Sequence, residues 1–298
     1  MRTDIEFKDS DGITLRGWHY LPDRAKGKVP TVVMAHGFSG TKEVFLDRYA
    51  ELFANYGIAS VVYDHRNFGA SDGEPRQEID PWEQVKGYRD AITYAESLPE
   101  TDPDRIGIFG SSYSGGHVLA VGAIDRRVKC VVSQVPVVNG PRNAQRAIPA
   151  SQLKAMRATF DADRRSRFAG APPGRIPVVA ADGSPCALAT PDSYEFMVNV
   201  AGKYAKTWIN EVTVRSVEMF TEYDPGAYIS LISPTPLLMI VATEDHLAVA
   251  DLALEAFENA RQPKKLLLVP GGHFDPYVNQ FERAGGGARD WFVEHLVR

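Results

Sequence analysis

Arg105-Ile-Gly-Ile-Phe-Gly-Ser-Ser-Tyr-Ser-Gly-Gly-His-Val-Leu119 is the stretch around which the chain is organised. The apolar run Ile106 to Phe109 predicts a buried strand, and the apolar pattern from His117 predicts a helix. Between them the small residues Gly110, Ser111, Ser114, Gly115 and Gly116 crowd around Ser112 and predict a very tight turn. Such a turn lifts one side chain out of the sheet at a strained backbone angle, which only small neighbours permit. The raised hydroxyl then sits near a helix N-terminus, whose free N–H groups favour developing negative charge. Ser112 is therefore the expected nucleophile. The pattern is G-x-S-x-G with Ser114 in place of the last glycine, and the frame Ser112-Tyr-Ser-Gly-Gly116 leaves Ser114 as an alternative. The Gly-Lys-Ser/Thr ending of a phosphate loop is missing.

The 298 residues suit one α/β domain with an insertion or two small domains, and 44% hydrophobic residues can fill a sizeable core. A net charge of -5 gives no footprint for nucleic acid or an anionic membrane. No apolar run follows Met1 and none approaches the ~18 residues of a membrane span, so the expectation is a cytoplasmic protein without membrane partners. Of the two cysteines, Cys130 lies in the apolar run Val128 to Val132 as a small hydrophobe. Neither it nor Cys186 has zinc-site spacing, and no metal or cofactor is expected. Nothing in the composition conflicts with a homodimer.

Around the central stretch, strands and helices alternate. Asp4 to Phe7 and Thr14 to Tyr20 read as an edge hairpin around Asp9-Ser-Asp-Gly12. Val29 to Ala35 is a buried strand ending in His36-Gly-Phe-Ser-Gly40, where glycines let the backbone approach a ligand closely. The Phe38 and Tyr113 N–H groups are the expected oxyanion donors, with His36 orienting that loop. A helix over Thr41 to Tyr56, a strand over Ile58 to Tyr63, a helix over Pro81 to Leu98 and a strand over Val128 to Val135 follow. Asp64, His65 and Arg66 fall on a turn rich in Gly and Asp and read as structural. This rhythm predicts a doubly wound, mostly parallel sheet. It stops over 137–233, where helical pieces at Gln145 to Phe168 and Tyr194 to Met219 flank a Pro/Gly-rich stretch. So long an interruption predicts an inserted helical lid on a core made of 1–136 and 234–298. The sheet resumes at Pro236 to Ala242, then a helix over Ala248 to Ala260, a strand over Lys265 to Val269 and a last helix over Ala288 to Val297.

Asp245 and His273 fall just beyond two successive strands, at the edge expected for Ser112. A serine hydroxyl is a poor nucleophile until a base takes its proton. Histidine titrates near neutrality, and a carboxylate fixes its tautomer. Glu244 is the alternative acid, while His246 and His117 read as solvated and packing histidines.

The order Ser112, Asp245, His273 is that of the α/β-hydrolase fold. The segments His36 to Glu43, Asp64 to Arg76, Gly110 to His117, Gln134-Val-Pro136 and Gly271 to Asp275 resemble dienelactone-hydrolase-like bacterial hydrolases, in the subgroup that includes fungal polyketide transferases. The likeness runs over nearly the whole chain and accommodates Ser114. It implies an α/β-hydrolase fold with Ser112, Asp245 and His273 as nucleophile, acid and base. The expected activity is cofactor-free hydrolysis of a small-molecule ester or thioester. The alternatives are acyl transfer to an alcohol and a non-catalytic ligand receptor on the same fold. Phe196, Tyr204 and Trp208 are the aromatic residues expected to shape the substrate pocket.

Overall fold

Largely apolar runs form the centre of an eight-stranded sheet in the order β1-β2-β4-β3-β5-β6-β9-β10. A computed structural model describes every residue except Arg24 and Lys26. The hairpin β1 (Arg2–Lys8) and β2 (Thr14–Tyr20) closes one edge in antiparallel register, with Gly12 at φ 83° in its turn. Strand β3 (Val29–Ala35) runs parallel to β4 (Ala59–Tyr63) and to β5 (Thr101–Ser111). Beyond β5, the strands β6 (Val128–Gln134), β9 (Leu237–Ala242) and β10 (Lys264–Val269) continue in the same direction.

Both faces of the sheet are covered, and β3 shows why its sequence lacks polar alternation. Val32 and Met34 enter one core with Leu46 and Tyr49 of α1 (Leu46–Ala54) and Phe281 and Phe292 of α9 (Phe281–Phe292). Val33 and Ala35 enter the other, with Val85 and Tyr88 of α2 (Pro81–Ser97) and Val118 and Val121 of α3 (Tyr113–Ile124). A strand buried on both faces is apolar nearly throughout, and its one polar residue, Thr31, is paired with the Thr101 hydroxyl at 2.9 Å.

Four expectations about elements change. Helix α1 starts at Leu46 rather than Thr41, because Phe45 sits at φ 59° and the preceding residues turn. The helix expected from Gln145 is two helices, α4 (Gly140–Ala147) and α5 (Ala150–Phe168), divided where Ile148 is extended ahead of Pro149. The stretch 194–219 is not one helix. The short α6 (Pro191–Tyr194) runs into a π-helical turn at Glu195–Val200. A two-residue ribbon of β7 (Arg175–Ile176) with β8 (Val212–Thr213) and the helix α7 (Val214–Phe220) complete that region. The last helix, α9, begins at Phe281, seven residues before its expected start at Ala288, with Gly285, Gly286 and Gly287 inside it. Gly285 and Gly287 reflect close packing rather than a break: a β-carbon on Gly287 would lie 2.4 Å from Leu267.

Strands β6 and β9 are direct neighbours, so residues 137–233 leave the sheet and return beside the point of departure. After β9, α8 (Ala250–Asn259) crosses to β10. All the loops that follow β3, β5, β6, β9 and β10 therefore gather at one edge. Among the described residues, no helix is long and apolar enough to cross a membrane.

Candidate active site

The turn from β5 to α3 places Ser112 at φ 62° and ψ -122°, a backbone conformation that costs about 1–3 kcal/mol for a residue with a side chain. Its amide donates to the Gln134 carbonyl (2.9 Å), and its own carbonyl accepts from Val137 N–H (3.1 Å), which hold the strained residue from both sides. Small neighbours are required: a β-carbon on Gly110 would lie 2.1 Å from the Ser114 carbonyl oxygen, and one on Gly115 2.7 Å from that of Gln134. Position 114 itself is not under that constraint. Ser114 is fully buried and its hydroxyl meets the Tyr88 hydroxyl at 2.7 Å, away from the edge where Ser112 emerges.

Three side chains from separate loops meet there. His273 Nε2 lies 2.9 Å from Ser112 Oγ, and His273 Nδ1 lies 2.7 Å from Asp245 Oδ2. The other Asp245 oxygen accepts the Leu247 and Ala248 N–H groups at 2.9 and 2.8 Å, so the carboxylate is fixed before it meets the ring. An ionised carboxylate only accepts, which puts the ring proton on Nδ1 and leaves Nε2 to accept from the serine. His273 and Asp245 are 1% and 3% exposed, so the chain is shielded from water. The loop carrying His273 is tied by Asp275, whose carboxylate accepts Gly272 N–H at 2.7 Å. A buried relay also connects it to β5: Ser111 donates to the Tyr277 hydroxyl (2.5 Å) and accepts from Gln134 (2.9 Å).

Glycine at 37 brings the loop after β3 against Ser112, and the Phe38 and Tyr113 rings pack edge to face at 5.7 Å. Neither backbone N–H of this pair has an acceptor among the described residues. His36 Nε2 accepts His65 N–H at 3.2 Å, which leaves Nδ1–H to donate to the Gly37 carbonyl at 2.9 Å and hold the loop. Burial keeps His36 neutral by pushing its pKa down, does the same more strongly to His65, and takes His117 to about 3. His117 is engaged by Tyr223 and Gln84, while Glu244 and His246 are exposed. None of these three bonds to Ser112 or His273. Asp64 is fully buried and paired with Lys42 Nζ at 2.6 Å, in keeping with a structural turn.

Ser112 stands where two cavities meet. The smaller, about 40 Å³, is lined by His273, Phe38, Phe196, Phe274 and Tyr277. The larger, about 170 Å³, lies under α4, α5 and α7 and is lined by Val137, Ile148, Met156, Leu188 and Phe220. No Asp, Glu, Lys or Arg lines either one among the described residues. Of the three aromatics expected around the pocket, Phe196 is on its wall, stacked on Phe274 at 4.3 Å. The other two are not. Tyr204 is 64% exposed and leans on Phe45, and Trp208 packs at the core margin outside both cavities. Met156, Leu188 and Phe220 take their place. Their only sequence signal is apolar character in a segment without a clear period.

Both cysteines are free thiols, Cys130 in the core and Cys186 on the larger cavity. Among the described residues, no group of three or more His, Cys, Asp or Glu is arranged to hold a metal.

The chain is 33% identical to a thiohydrolase of Eupenicillium brefeldianum over 92% of its length and 88% of that protein's. It is 34% identical to the quorum-quenching protein AidA of Acinetobacter baumannii, covering 99% of this chain and 95% of the relative. The crystal structure of the α/β hydrolase GrgF from Penicillium sp. superposes with a TM-score of 0.85 at 28% identity, over the whole of both chains. Residues 11–275 match the family described as X-Pro dipeptidyl-peptidase (S15 family). With its eight-stranded, mostly parallel sheet, the chain is an enzyme of the α/β-hydrolase fold and belongs to that S15 family.

Proposed function

We propose that the chain hydrolyses small-molecule carboxylic esters or thioesters through an acyl-enzyme on Ser112. The observation that carries this reading is the hydrogen-bonded series Ser112, His273, Asp245, mounted on a strained turn at the mouth of an apolar cavity. His273 takes the Ser112 proton as Oγ attacks the carbonyl. It then passes that proton to the leaving alkoxide or thiolate, and a water activated by the same ring releases the acid. The Phe38 and Tyr113 N–H groups stabilise the oxyanion. Residues 137–233 act as the lid that excludes water and shapes the pocket.

The cavity linings favour esters over peptides. A dipeptidyl peptidase must hold a substrate ammonium near the nucleophile, and an unpaired ammonium in an apolar site is costly. With no carboxylate among the cavity residues, the walls suit an uncharged acyl group. A second reading, acyl transfer to an alcohol, draws on the names of relatives such as the polyketide transferase grgF of Penicillium. The same acyl-enzyme would serve it.

One experiment separates these from a binding-only protein. A fluorophosphonate should label the protein stoichiometrically, with the added mass on Ser112, and p-nitrophenyl esters and acyl thioesters should turn over. Added alcohols diverting product to new esters would favour the transferase. Label on Ser114, or none with no turnover, would remove the reading.

A further inference from the structure

The two compartments at Ser112 are not equivalent. A leaving group must receive its proton from His273 Nε2, and His273 lines only the smaller cavity. The leaving group therefore belongs on that side, against Phe274 and Tyr277. The acyl group is left with the larger, apolar cavity, where each buried methylene adds to binding.

That cavity has a partition at its far end. Ala144, Met156 and Thr221 line it and also line a surface groove of about 420 Å³ between α5 and α7. These three side chains face an apolar interior on one side and a polar exterior on the other, where the groove carries Gln145, Arg157, Asp161 and Arg164. Of the three, Met156 alone is long and unbranched, with a side chain that can swing between rotamers without leaving a polar group unpaired. It stands on α5, a helix in which Phe160 and Asp163 are the buried residues. Little packing therefore fixes this part of the wall.

We propose that Met156 is the specificity-determining residue for acyl length. An aliphatic acyl chain runs from Ser112 along the larger cavity, and a chain longer than the cavity passes Met156 and places its distal, polar end in the α5/α7 groove. The inference rests on the acyl-enzyme reading above for its direction. The substrates it selects are esters or thioesters whose acyl chain is apolar next to the carbonyl and polar further out.

Two measurements test it, and they fail separately from the ester reading. In the first, the kcat/KM ratio of p-nitrophenyl decanoate to p-nitrophenyl butyrate is compared across wild type, Met156→Trp and Met156→Ala. The ratio should fall by roughly tenfold or more in Met156→Trp and rise in Met156→Ala. The alanine variant keeps the test open should tryptophan disturb α5. The second needs no turnover, because Cys186 lines the same cavity while Cys130 is fully buried. Burial raises the Cys186 pKa, so alkylation by iodoacetamide is followed at alkaline pH by mass spectrometry. Decanoate should slow it in the wild type and protect less in Met156→Trp. An unchanged ester ratio together with unchanged protection overturns the assignment. Absence of esterase activity with protection that still depends on Met156 overturns the ester reading and leaves the chain-length role standing.

Discussion

Gly37 is packed on Ser112 so closely that a β-carbon at 37 would lie 2.8 Å from Ser112 Cβ and 2.9 Å from the Ser111 carbonyl oxygen. The loop proposed to hold the oxyanion and the proposed nucleophile thus pack together with no room for a side chain at 37. Gly37→Ala must push the loop or the elbow aside by several tenths of an ångström. Misplacement on that scale should lower kcat/KM by about 10²-fold while the chain remains folded at room temperature. Near-native turnover in the alanine variant would show that the contact does not position the reaction.

A second prediction separates strain from chemistry at Ser112. Ser112→Ala and Ser112→Gly should both lose about 10⁴-fold or more in kcat, since either removes the proposed nucleophile. Their stabilities should differ. At φ 62° and ψ -122° glycine is unstrained and alanine is not, so the glycine variant should be more stable than alanine by about 1 kcal/mol in urea titrations. Equal stabilities would mean that the turn is not strained by its side chain.

The sheet and the edge where Ser112, Asp245 and His273 gather were readable because each depends on short-range signals. Apolar runs of strand length, bounded by glycine and proline, located β3, β6 and β9 within a residue or two and the apolar half of β5, whose polar start from Thr101 reads as a turn, and parallel order follows from the helices between them. The edge hairpin was readable from Gly12 and alternation. What could not be read was governed by distant packing. Gly285 and Gly287 look like helix breakers locally, yet Leu52 and Leu267 press against them in the folded chain. The cavity walls were the hardest part, since Met156 of α5, Leu188 of a loop and Phe220 of α7 converge from positions far apart in the chain. Tyr204 and Trp208 are aromatic, a property that does not say which way a side chain faces.

The turn after β4 predicts a large stability effect with no role in chemistry. Asp64 is fully buried, and it accepts Lys42 N–H at 2.7 Å, Lys42 Nζ at 2.6 Å and Ala70 N–H at 2.9 Å. Lys42→Met keeps the side-chain volume but leaves a buried carboxylate with two neutral donors. Loss of one partner of a buried pair costs roughly 3–5 kcal/mol, and the remaining N–H bonds place this variant near the lower end. A drop below about 1 kcal/mol in chemical denaturation would mean that water or another cation reaches Asp64.

Acid sensitivity should come from a row of buried histidines behind the elbow. The rings of His36 and His65 lie 4.8 Å apart and those of His65 and His117 5.9 Å, and burial lowers the pKa of each. Below about pH 6.5 the unfolded chain binds protons that the native one does not, so stability falls as pH drops, by up to about 1.4 kcal/mol per pH unit for each histidine. For His117 this loss continues until its folded pKa of about 3. Both His65 ring nitrogens lack a partner among the described residues. His65→Leu should therefore match or exceed wild-type stability near neutrality and show a shallower loss on acidification. Parallel pH profiles for the two proteins would remove His65 from the account.

The last prediction concerns how the histidine loop is held in register with the serine. The Tyr49 hydroxyl lies 2.8 Å from both Gln134 Oε1 and the Pro276 carbonyl, which share its single proton. Gln134 donates to Ser111 at 2.9 Å, and Ser111 donates to Tyr277 at 2.5 Å. The residue before the proposed nucleophile is thereby joined to the loop that carries His273, through a side chain that touches neither cavity. Gln134→Leu should cost about 1–3 kcal/mol, because Ser111 and Tyr49 each lose a buried partner. A merely structural role would end there. If Gln134 is a positioning residue, kcat of the folded variant should fall about tenfold with KM little changed, and the acidic limb of its pH–rate profile should move as the His273 to Ser112 hydrogen bond loosens. A destabilised protein with wild-type kcat and pH profile would reduce the network to packing.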